Sequence, residues 1–340
     1  MSTAEWTGPT VLDVSRLRTV YPASGEPLHA VRDVSLQIRA GEIVGLVGES
    51  GSGKSTVLKS VLGLIRPPGR VSAERLALDG RELAEMSAAE LRRIRGGQIS
   101  MIFQDPINSF NPAWSIGDQF KRVLRLHRPD LSPRQHEDEI LRLLRAVGID
   151  GRGKLSAYPF QFSQGQLQRI MIAVACASRD LKVLLADEPT TSLDVTIEAQ
   201  VLELLRELRR QRGLALVLVT HDLSVVAELC DRVMVMYAGQ IVEEASVDGL
   251  FATPQHPYTQ QLLRSIPAFP HDGKRLYTMR GGVPKLTGEP VGCPFAPRCD
   301  SHLGRVCDDS PPRLLPVADG GRQVACHRHP AQSTEEAISR

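Results

Sequence analysis

The chain has 340 residues, more than one hydrophobic core usually organises, so two or three structural units are expected. Hydrophobic residues at 42% and charged residues at 24% exclude a disordered or fibrous chain and fit a soluble globular protein. A net charge of +2 and an aromatic content of 4% supply neither the basic surface nor the stacking platforms of a nucleic-acid binder.

No apolar run is long enough to span a bilayer. Met1 to Thr10 lacks a basic start followed by an apolar stretch, so no secretory signal is read and a cytosolic address is the expectation. Any membrane role then falls to partner proteins. Val11–Tyr21 and Ala30–Ile38 alternate loosely and predict strands, and Glu42–Val47 has the pattern of a fully buried strand. The stretch Gly48–Thr56 opens a helix, with Val57, Leu58, Val61 and Leu62 at helical spacing, and Gln98–Phe103 is a second buried strand. Residues 105–160 change character, with more Arg, His and Pro, and predict a helical insertion. Within it Ser132-Pro133-Arg134-Gln135 is a helix start, and Leu141, Leu144 and Val147 are placed on one face.

The pattern resumes with a helix over 166–178, a strand over 181–186, a helix over 197–212 and a strand over 214–220. Val201, Leu204, Leu205 and Leu208 form the stripe of the long helix, and Gly213 ends it. Buried strands alternating with helices imply an α/β fold with a largely parallel sheet. After Phe251 the chain becomes Pro-rich and irregular, and residues 251–340 read as an appendage whose end, 331–340, is expected to be disordered.

Two motifs carry chemistry on their own. Gly48-Glu49-Ser50-Gly51-Ser52-Gly53-Lys54-Ser55 fits G-x-x-x-x-G-K-[ST]. Its glycines let successive N–H groups approach phosphate oxygens, Lys54 reaches the β- and γ-phosphates, and Ser55 suits Mg²⁺. Val183-Leu184-Leu185-Ala186-Asp187-Glu188 ends an apolar strand in two carboxylates. Asp187 suits Mg²⁺, directly or through water, and Glu188 suits a general base.

Six cysteines divide into two kinds. Cys176 and Cys230 sit in apolar stretches and read as core thiols. Cys293, Cys299, Cys307 and Cys326 have the spacing C-x5-C-x7-C-x18-C, which in a cytosolic chain indicates metal before disulfide. Four thiolates suffice for a [4Fe–4S] cluster or for Zn²⁺.

The order of the P-loop, Gln104 at a strand end, Phe162-Ser163-Gln164-Gly165-Gln166, Asp187-Glu188, Ser192-Leu193-Asp194 and His221 resembles ABC ATPases over residues 11–250. The resemblance implies a P-loop core over 1–104 and 161–250 with an antiparallel β subdomain, a helical insertion at 105–160 that couples to membrane subunits, and a Cys-containing extension. It also implies a head-to-tail ATPase dimer with ATP between the P-loop of one subunit and the signature segment of the other. By the same resemblance Tyr21 stacks on adenine, and Gly48, Ser50, Gly51, Gly53, Lys54, Ser55 and Thr56 hold the phosphates. Ser163, Gly165 and Gln166 cap the γ-phosphate from across the dimer, and Asp194 lies on the crossing loop. Gln104 senses Mg²⁺ and water, and His221 contacts the γ-phosphate. Gln164 stands where the family usually has glycine, which opens the alternative of one weakened composite site or a weakly hydrolysing regulatory subunit.

Thr253-Pro254-Gln255-His256-Pro257-Tyr258-Thr259 and Gly292-Cys293-Pro294-Phe295-Ala296-Pro297-Arg298-Cys299 resemble the oligopeptide/dipeptide importer branch. That implies two permease subunits, a second ATPase subunit and, indirectly, a solute-binding protein as partners. It places the chain on the cytoplasmic membrane face, with an iron–sulfur cluster favoured over zinc. A soluble non-transport ABC ATPase is the other alternative, but its usual coiled coils and paired cassettes are not seen.

Overall fold

The computed structural model describes residues 8–191, 193–265, 279–284, 287–317 and 321–329, so the expectation of disorder over 331–340 lies outside them. Strands β1 (Thr10–Tyr21) and β2 (Leu28–Arg39) pair antiparallel, and their loose alternation reflects several register shifts. β3 (Ile43–Val47) runs into the glycine loop and helix α1 (Lys54–Val61) follows it. Three short strands, β4 (Arg70–Ser72), β5 (Arg75–Leu78) and β6 (Arg81–Glu82), complete a five-stranded antiparallel sheet. They are too short to show a periodicity, so the sequence reading misses them. Helix α2 (Ala88–Ile94) then leads to β7 (Ile99–Ile102).

The helical insertion contains α3 (Pro106–Ser109), α4 (Ile116–His127) and α5 (Pro133–Ala146). Asp105 caps α3, accepting the Asn108 N–H at 3.0 Å. Ser132 caps α5 and Gln135 returns the bond, as its sequence predicts. The buried face of α5 is Ile140, Leu143 and Leu144, continued by Val147, while Leu141 is only half-buried. The expected stripe is therefore rotated, because α5 is held between α4 and α6 (Gln164–Ala175) and buries the side facing both.

The remaining core elements are β8 (Val183–Asp187), α7 (Val195–Arg212), β9 (Ala215–Val219), α8 (Leu223–Leu229), β10 (Arg232–Tyr237), β11 (Gln240–Ser246) and α9 (Val247–Ala252). On α7 the deeply buried residues are Val201, Leu202 and Leu205, with Leu204 and Leu208 packed beside them, and Gly213 ends the helix at φ 60°. The extension holds α10 (Pro257–Arg264), α11 (Arg305–Asp309), β12 (Leu315–Pro316) and β13 (Gln323–Val324).

The main sheet has the order β12-β13-β11-β10-β3-β9-β8-β7, with β10, β3, β9, β8 and β7 mutually parallel. Its apolar strands still obey a period of two. Ile43 and Val47 face a core shared with α6, α7 and the helical insertion, while Val44 and Leu46 face one shared with α1, β1 and β2. Cys176 and Cys230 lie in the first core as predicted, and burial pushes the Cys176 thiol up to about 12.

The extension is fastened to the sheet. β13 pairs with β11, and the buried Glu243 of β11 accepts the backbone N–H groups of Gln255 and His256 just ahead of α10. Phe295 is packed between Tyr237, Tyr258 and His256, with ring centroids 5.2, 5.4 and 5.8 Å away.

Candidate active site

Parallel pairing brings the carboxyl ends of β3, β9, β8 and β7 to one edge, the position where open α/β sheets bind ligands. Each of these strand ends delivers a residue singled out in the sequence. The β3 end becomes the loop Gly48–Ser55. Here glycine is obligatory: Gly53 has φ 106°, and a Cβ there would lie 2.8 Å from Met236 Cε and closer still to the Ala30 carbonyl oxygen. Lys54 Nζ donates to the carbonyl oxygens of Gly48 and Glu49 at 2.8 and 2.9 Å. Burial lowers the Lys54 pKa, and the carboxylates of Glu188, Asp187 and Glu49 oppose that shift.

The β8 end supplies Asp187 and Glu188. Ser55 Oγ donates to Asp187 Oδ1 at 2.7 Å. Asp187 is buried, which raises its pKa, and the Ser55 hydrogen bond works against the rise. A hydroxyl and a carboxylate so placed are hard oxygen donors of the kind Mg²⁺ takes, so these residues fit that ion. Glu188 adopts φ 48°, a left-handed conformation unusual for a side chain of this kind and costing about 1–3 kcal/mol. Its backbone N–H donates to the Val219 carbonyl at the β9 end at 2.9 Å, which holds that turn.

Three side chains surround the Glu188 carboxylate. Gln104 Nε2, just beyond β7, donates to Oε2 at 3.1 Å, and Thr191 Oγ1 donates to the same oxygen at 2.9 Å. His221 Nδ1, just beyond β9, lies 3.5 Å from Oε1. Gln104 and His221 thus lie on the two oxygens of the Glu188 carboxylate. Thr191 is a partner that the sequence reading missed, since a lone threonine after Glu188 carries no pattern of its own.

The other predicted residues lie in their elements. Ser163 caps α6, accepting the Gln166 N–H at 3.3 Å, while Gln166 Oε1 accepts the Ser163 N–H at 3.0 Å. Gly165 sits in that first turn near Leu193 and Ile197. Gln164 is exposed at the first helical position and leaves the capping box intact. Asp194 caps α7 through the Ile197 N–H at 3.0 Å, whereas Ser192 lies outside the described residues. Thr56 is half-buried on the first turn of α1, and Ser50 and Gly51 are exposed in the loop. Tyr21 closes β1 opposite Leu28, with its ring against Gly69.

In the extension, Cys293, Cys299, Cys307 and Cys326 are free thiols lining one small cavity with Phe295, His256 and His327. Burial raises the thiols of Cys293, Cys299 and Cys326. An all-sulfur donor set suits soft metals. Among the described residues, however, no three His, Cys, Asp or Glu side chains are gathered so as to hold a metal ion.

A P-loop joined through Ser55 to one carboxylate, with a second carboxylate ringed by Gln104, Thr191 and His221, defines a P-loop nucleotide-binding protein with hydrolytic machinery. Residues 31–191 match the ABC transporter family, and residues 242–307 match the oligopeptide/dipeptide transporter C-terminal region. Over 93% of its length the chain is 45% identical to the dipeptide transport ATP-binding protein DppD of Haemophilus influenzae, covering 95% of that protein. It is 42% identical over 94% of its length to the oligopeptide transport ATP-binding protein OppD of Salmonella typhimurium, covering 93% of it. The chain belongs to the ABC transporter ATP-binding proteins and is an ABC-type ATPase. Among solved structures it resembles the dimeric ATP-binding cassette MJ0796 in a post-hydrolysis state bound to ADP and Pi. That match has a TM-score of 0.63 and 28% identity, over 69% of this chain and 98% of that one.

Proposed function

We propose that this chain is the ATP-hydrolysing subunit of a peptide importer of the oligopeptide/dipeptide type, acting at the cytoplasmic membrane face on two separate permease subunits. The observation that carries the reading is the convergence of Lys54, Ser55–Asp187 and Gln104–Glu188–His221 at one sheet edge. The C-terminal match over residues 242–307 supports the peptide class. No helix among the described residues is long and apolar enough to cross a membrane, which leaves the solute path to partners.

In this reading the backbone around Gly48, Ser50, Gly51 and Gly53, with Thr56 at the helix start, holds the phosphates, and Lys54 turns from its loop carbonyls to the β- and γ-phosphates. Ser55, Asp187 and Gln104 hold Mg²⁺, which supplies charge neutralisation across the phosphate oxygens. Glu188 takes a proton from water as the water oxygen bonds the γ-phosphorus and the bond to the ADP oxygen breaks. Gln104 and Thr191 hold one Glu188 oxygen, so the other is presented toward His221 and the substrate. Tyr21 stacks on adenine. Ser163, Gly165 and Gln166 close the site of a second, homologous or identical, ATPase subunit, and Asp194 lies on the loop between them. The dimeric state of the MJ0796 cassette supports that pairing.

The residue ranges 1–104 and 161–250 form the ATPase core in this proposal, 105–160 couples to the permeases and 251–340 is the extension. Exposed apolar side chains support the coupling role: Ile107, Tyr158 and Phe160 are exposed, with the Tyr158 and Phe160 rings stacked at 5.8 Å. A solute-binding protein acts indirectly, and nucleic acid is not a partner. The test is ATPase activity of the reconstituted complex. Peptide loaded on the binding protein should stimulate hydrolysis, and Lys54→Ala should abolish both nucleotide binding and stimulation. Stimulation by no peptide would remove the peptide assignment.

Within the same proposal Cys293, Cys299, Cys307 and Cys326 hold a [4Fe–4S] cluster, with Zn²⁺ as the alternative. The chemistry supplied is a covalent staple on a segment with little core of its own. Anaerobically purified protein should carry iron and sulfide in equal amounts, about four of each per chain. Colourless protein with stoichiometric zinc would replace the cluster, and metal-free protein would end both ideas.

A further inference from the structure

We infer that the C-terminal extension is a positioning element of the nucleotide site, and that Arg298 is the residue through which it acts, by way of Glu49. The inference rests on the nucleotide-binding role proposed for the loop Gly48–Ser55.

Glu49 is the only carboxylate in that loop. A fixed negative charge there repels the triphosphate that the loop must grip. Arg298 answers it with a two-pronged contact: Nη1 donates to Oε2 at 2.6 Å and Nη2 to Oε1 at 2.9 Å. The Arg298 side chain is only 6% exposed and that of Glu49 27%, so the pair is partly shielded from solvent and salt. The guanidinium is held in turn, with Nε donating to the Arg280 carbonyl at 2.7 Å and the Tyr237 ring 5.7 Å away. Gln261 of α10 donates to the Arg298 carbonyl at 3.2 Å.

The backbone of Glu49 is engaged as well. Its N–H donates to Tyr258 Oη of α10 at 2.8 Å. Its carbonyl accepts Lys54 Nζ at 2.9 Å and the Ser52 N–H at 3.2 Å. Two residues of the extension thus clamp the second residue of the phosphate loop from outside, and Lys54 meets the same residue from inside. Loss of Arg298 leaves a part-buried carboxylate uncompensated beside the phosphates and frees it to turn toward Lys54. Arg298 is therefore a positioning residue: it neutralises Glu49 and fixes the plane of the loop.

The test uses the full chain and a fluorescent Mg-ATP analogue. Arg298→Ala should weaken binding about tenfold or more, and should raise KM by more than it lowers kcat. Arg298→Lys, which keeps the charge without the fork, should recover part of the loss. Adding Glu49→Gln to Arg298→Ala should recover most of it, because the repelling charge is gone. A purely structural anchor predicts no such rescue, so a double variant as weak as Arg298→Ala overturns the inference. Binding unchanged in Arg298→Ala overturns it too. Should Arg298→Ala fail to fold, Arg298→Lys and Tyr258→Phe carry the test: both should weaken binding by smaller factors, and wild-type affinity in both overturns it. Binding retained in Lys54→Ala sinks the nucleotide reading itself, whereas loss there with Arg298→Ala unaffected sinks only the present inference.

Discussion

Glu188→Gln is expected to leave Mg-ATP binding in place and to lower kcat by about 10²–10⁴-fold, the range ascribed to a positioned general base. The substitution is nearly isosteric. One amide oxygen can still accept from Gln104 and Thr191, whose bonds to Glu188 measure 3.1 and 2.9 Å. The left-handed turn at φ 48° is set by the backbone and by the Glu188 N–H bond to Val219, which the change does not touch. What disappears is the ability to take a proton. A negative charge also disappears near Lys54 and Asp187, so affinity for the triphosphate should hold or increase. Phosphate release and nucleotide binding, measured on the same preparation, check both halves. Turnover near the wild-type rate would refute the assignment of Glu188 as base and direct attention to His221, 3.5 Å away.

The second large effect is expected at Gly53. Gly53→Ala should abolish nucleotide binding and destabilise the chain by about 1–3 kcal/mol for the backbone conformation and a similar amount for overpacking. The residue combines φ 106° with a Cβ position 2.8 Å from Met236 Cε and against the Ala30 carbonyl oxygen. A methionine methyl can move, but a strand carbonyl cannot without breaking the pairing around it. The loop must therefore shift, and its N–H groups lose their common aim. Gly153→Ala is the control: its φ is 73°, and an added Cβ meets nothing within 4 Å. Thermal melts should show a larger loss for Gly53→Ala than for Gly153→Ala, with nucleotide binding lost only in the former. Equal melts and retained binding would mean that the loop tolerates a side chain at this position.

Much of the site was legible because its signals are local. The glycines of the P-loop, the apolar run ending in Asp187-Glu188, and the Ser132–Gln135 helix start are each contained within a few residues, where backbone geometry restricts the choice of side chain. The β10–β11 hairpin was less visible. Arg232–Ser246 is apolar without a marked turn signature, and Ala238, which precedes Gly239 in the turn, takes φ 47°. On α5 the helix itself was read correctly but its inward face was not. Leu141 is as apolar as Leu143, and only packing against α4 and α6 selects between them.

By itself the sequence determined the phosphate loop, the acidic strand end, the alternating α/β pattern and the cysteine spacing, since each depends on neighbours along the chain. Tertiary structure decided which oxygen of Glu188 faces Gln104 and Thr191, how the cysteines surround one cavity, and that Arg298 reaches Glu49 across 249 positions of sequence. Contacts of that kind carry no periodicity, because they arise only when the burial of separate apolar faces brings distant segments to the same place.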